Sequence, residues 1–277
     1  MLIVGEHLNQ KLNVPLEKIG VIAGPSHAEE IAMERLSYLT IACDENKLAR
    51  AMAAMLKTQY IRTTISNDIM GTEYASMLKN IYAIASGIAK ALGYGDNFQS
   101  VLMSNAIREM KRFIKDVYKM KRNINNSAYL GDLLVTGYSV FSRNRSFGSM
   151  IGKGYSVKAA QMEMRMVAES YYATQSAKMI NQKYSTRVPI IDAVFNILYL
   201  GKTRRKSLKN SSKNWINSPI GIGRENEHRF QKTNEYLQFG TTTWQFFQYP
   251  SQKHNQSIFH DRYYSFLRHW DRPCHIP

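Results

Sequence analysis

Four groups of residues carry side chains able to do chemistry. Lys79 lies in residues 71–92 (GTEYASMLKNIYAIASGIAKAL), where Tyr74, Met77, Leu78, Ile81, Tyr82, Ile84, Ala85 and Ile88 recur with helical spacing. A lysine on such a face is either a snorkelling surface side chain or, held beside other polar groups, a general acid/base. Asp132 follows Gly131 at the opening of another helical stretch, where it either caps the helix or faces a site. Residues 142–145 (SRNR) bring Ser142, Arg143 and Asn144 together. Guanidinium and amide donors suit a phosphate, and they equally suit a solvated loop. Gly24 and Ser26 flank a proline in a turn that turn chemistry alone explains. Taken singly, each residue leaves both readings open.

These residues need elements to hold them. Residues 19–23 read as a short buried strand running into the Gly-Pro turn, residues 27–35 as a helix, and residues 38–43 (YLTIAC) as a second strand. Residues 48–56 have helical spacing, and 60–65 (YIRTTI) form a third strand with alternating pattern. Strand, helix, strand, helix, strand is an α/β alternation. Three strands make a thin sheet, and no glycine-rich phosphate loop precedes them, so this portion reads as incomplete. From Ile69 the pattern is helical, with further stretches at 99–120, 131–141, 157–182 and 189–200. The expected organisation is an incomplete α/β portion over 1–67, a helical domain over 68–203, and a tail over 204–277.

The composition of that tail sets it apart. The chain has 277 residues, 44% of them hydrophobic, which excludes simple disorder, and a formal net charge of +16. Such charge raises nucleic acid, anionic membrane or phosphorylated metabolites as partners. Residues 204–277 carry 12 Lys/Arg against 5 Asp/Glu, all three Trp, five of the seven His and four of the seven Pro. No helical or strand period persists across them. Either the tail is a basic, aromatic nucleic-acid-binding appendage, or it is sequence from a shifted reading frame and poorly ordered. Residues 206–217 (KSLKNSSKNWIN) admit codons that, with two bases dropped, read EFEKLVEKLD and then stop. The hidden peptide has apolar residues at i, i+3, i+4 and i+7, an amphipathic helix, which favours the frameshift. With only Cys43 and Cys274, neither a disulfide scaffold nor a thiolate zinc site is expected, and no metal is assigned. No apolar run is long enough to span a membrane, and the first residues lack the pattern of a secretory signal. A reducing, cytoplasmic location is the expectation.

In order, VIAGPSHAEEIA, LKNIYAIASGIAKALGYGDN, GDLLVTGYSVFSRNR and MVAES, with IDAVFNILYLGK, resemble one family over residues 14–203: bacterial NAD(P)-dependent glycerol-3-phosphate dehydrogenase. The resemblance implies an α/β plus all-α fold, a partial Rossmann-type dinucleotide-binding domain followed by a helical substrate domain. It implies hydride transfer between sn-glycerol 3-phosphate and glycerone phosphate, with NAD or NADP as cofactor, in glycerophospholipid precursor synthesis. Lys79 then matches the proton donor and acceptor, with Asn80 beside it. Asp132 and Thr136, one turn apart, match residues that orient the lysine and contact substrate. Ser142, Arg143 and Asn144 match the substrate-phosphate region, and Gly24 and Ser26 match further substrate contacts. Ala28, Arg143, Val167 and Glu169 match cofactor contacts. Ser170 stands where the family pattern has glycine. The resemblance leaves room for a homodimer and needs neither nucleic acid nor a membrane span.

The first βαβ unit of the family, with its glycine-rich loop and a second substrate-binding lysine, has no counterpart in this sequence. Weak or absent activity is therefore expected, because pyrophosphate binding depends on that loop. A basic nucleic-acid-binding or interaction protein, using the tail and the run at 111–122 (KRFIKDVYKMKR), is the alternative. A related hydroxyacid dehydrogenase fits less well, because it does not account for SRNR shortly after Asp132. Sequencing the coding DNA through the tail should reveal EFEKLVEKLD and a stop in the shifted frame near Thr203. A shifted frame without them would remove the frameshift reading.

Overall fold

A computed structural model of the chain describes residues 3–164 and 169–216, all within one compact unit. The first helix, α1 (Val4–Leu12), is one the sequence reading does not assign; Asn13 ends it in the left-handed conformation. A 3₁₀ turn (Leu16–Lys18) leads into β1 (Gly20–Ala23), followed by α2 (Ala28–Ala32), β2 (Ser37–Cys43), α3 (Asn46–Leu56) and β3 (Ile61–Ser66). The three expected strands are present within a residue or two of their predicted ends.

The sheet has the order β1-β2-β3. Strand β2 is central and runs parallel to β3, with Ser37 opposite Ile61, joined through the crossover helix α3. It runs antiparallel to β1, with Gly20 opposite Cys43 and Ala23 opposite Thr40. Helix α2 is only a single short turn ending near Glu34 (φ 55°), so the chain returns beside β1 instead of crossing over. Leu39, Ile41 and Cys43 of β2 close on Ala49 of α3, with Leu48, Met52 and Leu56 around them, in a small core of their own.

The main core is helical. After β3 come α4 (Ile69–Ala91) and α5 (Asp96–Val117), then a π-helical turn (Ser127–Gly131) that runs directly into α6 (Asp132–Tyr138). Next are α7 (Arg143–Lys153), α8 (Val157–Glu163), α9 (Glu169–Tyr184), α10 (Pro189–Leu198) and α11 (Arg204–Ile216). The stretch expected as one helix over 157–182 is thus two, α8 and α9. Helix α4 is buried almost all round from Ile81 to Ala89, as expected of a helix surrounded by its own domain. The hydroxyl of its buried Ser86 lies 2.7 Å from the Gly137 carbonyl and 2.9 Å from Gln99 Oε1, two acceptors for its single proton.

Helix α11 corrects the expectation of an irregular tail at its first thirteen residues. Leu208, Ser211 and Trp215 are buried at i, i+3 and i+7, and the Trp215 ring lies 5.4 Å from that of Phe98. A serine within the stripe and polar neighbours throughout hide this period from a hydrophobicity reading. Residues 217–277 lie outside the described residues. No described helix is long and apolar enough to cross a membrane.

Among the buried acids, Glu109 of α5 is fully enclosed and accepts the backbone N–H groups of Ile190 (2.9 Å) and Ile191 (3.0 Å), closing the first turn of α10. Burial drives its pKa up to about 8 from an ordinary 4.5, opposed by those two N–H groups. The folded state therefore holds this proton more tightly than the unfolded one, and the associated stability is complete below pH 4.5 and lost as pH rises through about 8. The melting temperature should fall between pH 5 and pH 8 more steeply in the natural chain than in Glu109→Gln. Equal slopes in differential scanning calorimetry would refute this role.

Candidate active site

Lys79 and Asp132 meet across the boundary between α4 and α6. Lys79 Nζ donates to Asp132 Oδ2 at 2.6 Å, and the Gly24 N–H approaches the same oxygen at 3.4 Å. Asp132 is therefore not a simple cap: its carboxylate is committed to the lysine and to the turn after β1. The Asp132 side chain is 2% exposed and that of Lys79 20%, so the acid is enclosed while the ammonium reaches open space. Burial raises the Asp132 pKa above its ordinary value despite the opposing pull of the Lys79 ammonium, the Gly24 N–H and the nearby His27. Thr136, one turn along α6, donates its hydroxyl proton to the Asp132 carbonyl at 2.6 Å, not to the carboxylate.

The turn after β1 is held by its backbone. Gly24 has φ 136°, and a side chain there would run into the Tyr38 carbonyl. Ser26 Oγ donates back to the Gly24 carbonyl at 3.0 Å. On the opposite wall, Ser142 caps α7 by accepting the Arg145 N–H, which makes Arg143 and Asn144 its first two residues. They are helical residues at an N-terminus, where backbone N–H groups and the helix dipole favour an anion, rather than loop residues.

Helices α4 and α7 approach each other at a backbone-to-backbone distance that only glycine allows. A methyl group on Gly148 of α7 would collide with the Ile84 carbonyl of α4, and one on Gly87 of α4 with the Arg145 carbonyl of α7. That crossing sets how far the start of α7 stands from Lys79.

Together these elements enclose a cleft of about 630 Å³. Its lining includes Gly24, Ser26 and Ala28 from the β1–α2 turn, Lys79 and Asn80 from α4, and Asp132 and Thr136 from α6. Ser142, Arg143 and Asn144 from α7 and Glu169 from α9 complete the set. Every sequence-predicted site residue that can be located is therefore in one cavity; Val167 lies outside the described residues. The lining also holds residues the sequence reading passed over, His27, Glu29, Ser76 and Phe141. His27 Nε2 is buried with no hydrogen-bond partner among the described residues, and its ring lies 6.3 Å from that of Phe141. A histidine directly after the Gly-Pro-Ser turn was the available signal. Ser170 lies behind the wall, with its hydroxyl 2.6 Å and its N–H 3.3 Å from Asn144 Oδ1. A second hollow of about 700 Å³, between α10 and α11, is lined by Asn196, Lys202, Lys206 and Asp192, whose 2.6 Å ion pair with Lys178 is far more exposed than that of Lys79 and Asp132.

An ammonium fixed by a carboxylate, facing a cleft that also presents a guanidinium and a helix N-terminus, can hold an anionic substrate and exchange a proton with it. A small sheet with a crossover helix, followed by a helical domain carrying the Lys79–Asp132 ion pair, defines a dehydrogenase-type architecture with a partial Rossmann domain. The family model of the NAD-dependent glycerol-3-phosphate dehydrogenase C-terminus matches residues 68–209, and that of the N-terminus matches residues 2–49. The chain belongs to the NAD-dependent glycerol-3-phosphate dehydrogenase family. It is 35% identical over 192 residues to glycerol-3-phosphate dehydrogenase [NAD(P)+] of Macrococcus caseolyticus, covering 69% of this chain and 58% of the relative. It is 34% identical over 203 residues to that of Bacillus velezensis, covering 73% and 59%. The crystal structure of glycerol-3-phosphate dehydrogenase from Coxiella burnetii is similar with a TM-score of 0.67 and 30% identity, over 69% of this chain and 59% of that one. The chain thus spans a little under three fifths of the length of these relatives.

The glycine crossing makes a direct prediction. Gly148→Ala must separate α7 from α4 or distort both, at a cost of about 1–3 kcal/mol, read as a lower urea midpoint. Gly131→Ala, where the backbone is right-handed helical and a methyl group comes no closer than 3.5 Å to its neighbours, is the control and should lower the midpoint little or not at all.

Proposed function

We propose that the cleft is the substrate site of a glycerol-3-phosphate dehydrogenase, interconverting sn-glycerol 3-phosphate and glycerone phosphate with NAD or NADP. The observation that carries this is the Lys79 to Asp132 ion pair opening onto the same cleft as Arg143 and Asn144. Reducing a ketone places negative charge on its oxygen. Lys79 Nζ stabilises that charge and supplies the proton, and in the reverse direction takes it back. Asp132, anchored by Gly24, holds Nζ at the cleft wall and sets its direction. Arg143, Asn144, Ser142 and the first N–H groups of α7 receive the phosphate; Gly24, Ser26, Asn80 and Thr136 border the carbon chain.

The nicotinamide cofactor supplies the hydride acceptor or donor. The residues of this chain fit one end of it: Ala28, Arg143 and Glu169 line the cleft beside Lys79. The glycine-rich loop that holds the pyrophosphate end is not among these residues: no Gly-x-Gly-x-x-Gly run occurs in the 277 residues and no strand–glycine loop–helix unit occurs among the described ones. Expressed as these 277 residues alone, the polypeptide on this reading turns over weakly or not at all but still recognises its phosphorylated substrate. A cytoplasmic enzyme of glycerophospholipid precursor synthesis, with a homodimer as its assembly, fits the same reading, as does a shifted reading frame within the tail.

Purified protein should show little or no NAD(P)H oxidation with glycerone phosphate, yet bind sn-glycerol 3-phosphate in calorimetric titration. Arg143→Ala should weaken that binding roughly tenfold, as expected for a charge-assisted phosphate contact. Ordinary turnover would overturn the incomplete-cofactor-site reading; absence of ester binding would overturn the substrate assignment.

A further inference from the structure

We propose that Ser170, which lies behind the cleft rather than in it, is the positioning residue that fixes which end of the Asn144 amide meets the substrate phosphate. The inference rests on the glycerol 3-phosphate reading above and adds a residue to it. Ser170 is completely buried in the first turn of α9. Its hydroxyl donates to Asn144 Oδ1 at 2.6 Å, and its N–H donates to the same oxygen at 3.3 Å. Its carbonyl accepts the hydroxyl of Thr174, also fully buried, at 2.7 Å, which holds the turn from the other side.

An asparagine amide has two ends of nearly equal size and opposite polarity. A backbone N–H can only donate, so the end of Asn144 that faces α9 must be its oxygen. The two-proton Nδ2 end is thereby left to the cleft that Asn144 lines. Turning the amide over would set its NH₂ against the Ser170 N–H and give the cleft an acceptor, which repels phosphate oxygens. Without the Ser170 hydroxyl only the longer N–H contact opposes that rotation. With it, the start of α7 offers Arg143 and Asn144 as donors side by side. The Oδ1 contact also ties the N-terminal turn of α7 to that of α9.

A role exerted through Asn144 differs from a merely structural one in a double-mutant cycle. Titrating the full chain with sn-glycerol 3-phosphate, Ser170→Ala should weaken binding about fivefold, the worth of one neutral hydrogen bond. In an Asn144→Ala background the same substitution should change nothing. An equal loss in both backgrounds, or none in the natural one, overturns the inference. A second readout needs no Ser170 variant: in ¹⁵N-resolved spectra, the Asn144 side-chain amide, assigned through Asn144→Ala, should shift on adding sn-glycerol 3-phosphate and not on adding glycerol. Binding of the ester without that shift also overturns it. Failure of the natural chain to bind the ester would instead bring down the substrate reading, and this inference with it.

Discussion

Helix α4 is the wall against which the rest of the molecule is arranged, and its contact with α7 is the tightest constraint on that wall. Side chains normally keep helix axes 8–10 Å apart. At Gly87 and Gly148 there are none, and backbone lies directly on backbone. The crossing brings the N-terminal turn of α7 to the side of the cleft opposite Asp132, with Lys79 about two turns before Gly87 on the same helix. Volume excluded at two glycines thus sets the separation between the Lys79 ammonium and the first turn of α7.

The electrostatics follow from that packing. Asp132 is too buried to exist as an isolated carboxylate without a large desolvation cost, and the Lys79 ammonium 2.6 Å away offsets part of it. The pair also couples the two structural parts, because the Gly24 N–H from the sheet side approaches the same carboxylate. A similar arrangement stands at the other end of the boundary. Asp68 caps α4 through the Gly71 N–H, pairs with Arg122 at 2.7 Å and accepts the hydroxyl of Tyr129 from the turn preceding α6. Burial pushes Asp68 up, but Arg122 and Tyr129 together hold its carboxyl below its ordinary value. At Asp68 the close Arg122 and Tyr129 outweigh enclosure, whereas at Asp132 enclosure outweighs the pull of Lys79 and the Gly24 N–H.

The three strands, the long helix α4 and the change from α/β to helical character were legible because each rests on a local apolar period. The ordered motifs around Gly24, Lys79, Asp132 and Arg143 were legible as a family resemblance. Helix α1 was missed because its apolar residues are few and only Gly5 is buried in it. Helix α11 was missed because Ser211 interrupts its stripe. His27 was passed over although its type and place after the Gly-Pro-Ser turn were a signal, and Ser170, noted only as a departure from glycine, is tied to the site by its contacts with Asn144.

The sequence by itself supplied the candidate chemical groups, an ammonium, a carboxylate, a guanidinium and an amide, with a readable helical period around Lys79 and Asp132 but none at Arg143 and Asn144. It also determined that the glycine-rich cradle for a dinucleotide pyrophosphate is not among these residues. Only the tertiary structure decided which of two roles each residue takes. Asp132 could cap its helix or hold Lys79, and it holds Lys79; Arg143 and Asn144 could sit in a loop or begin a helix, and they begin α7. The reason is that a side chain's partner lies tens of residues away in the chain, 53 for Lys79 and Asp132, and local spacing carries no information about contacts made only when helices pack.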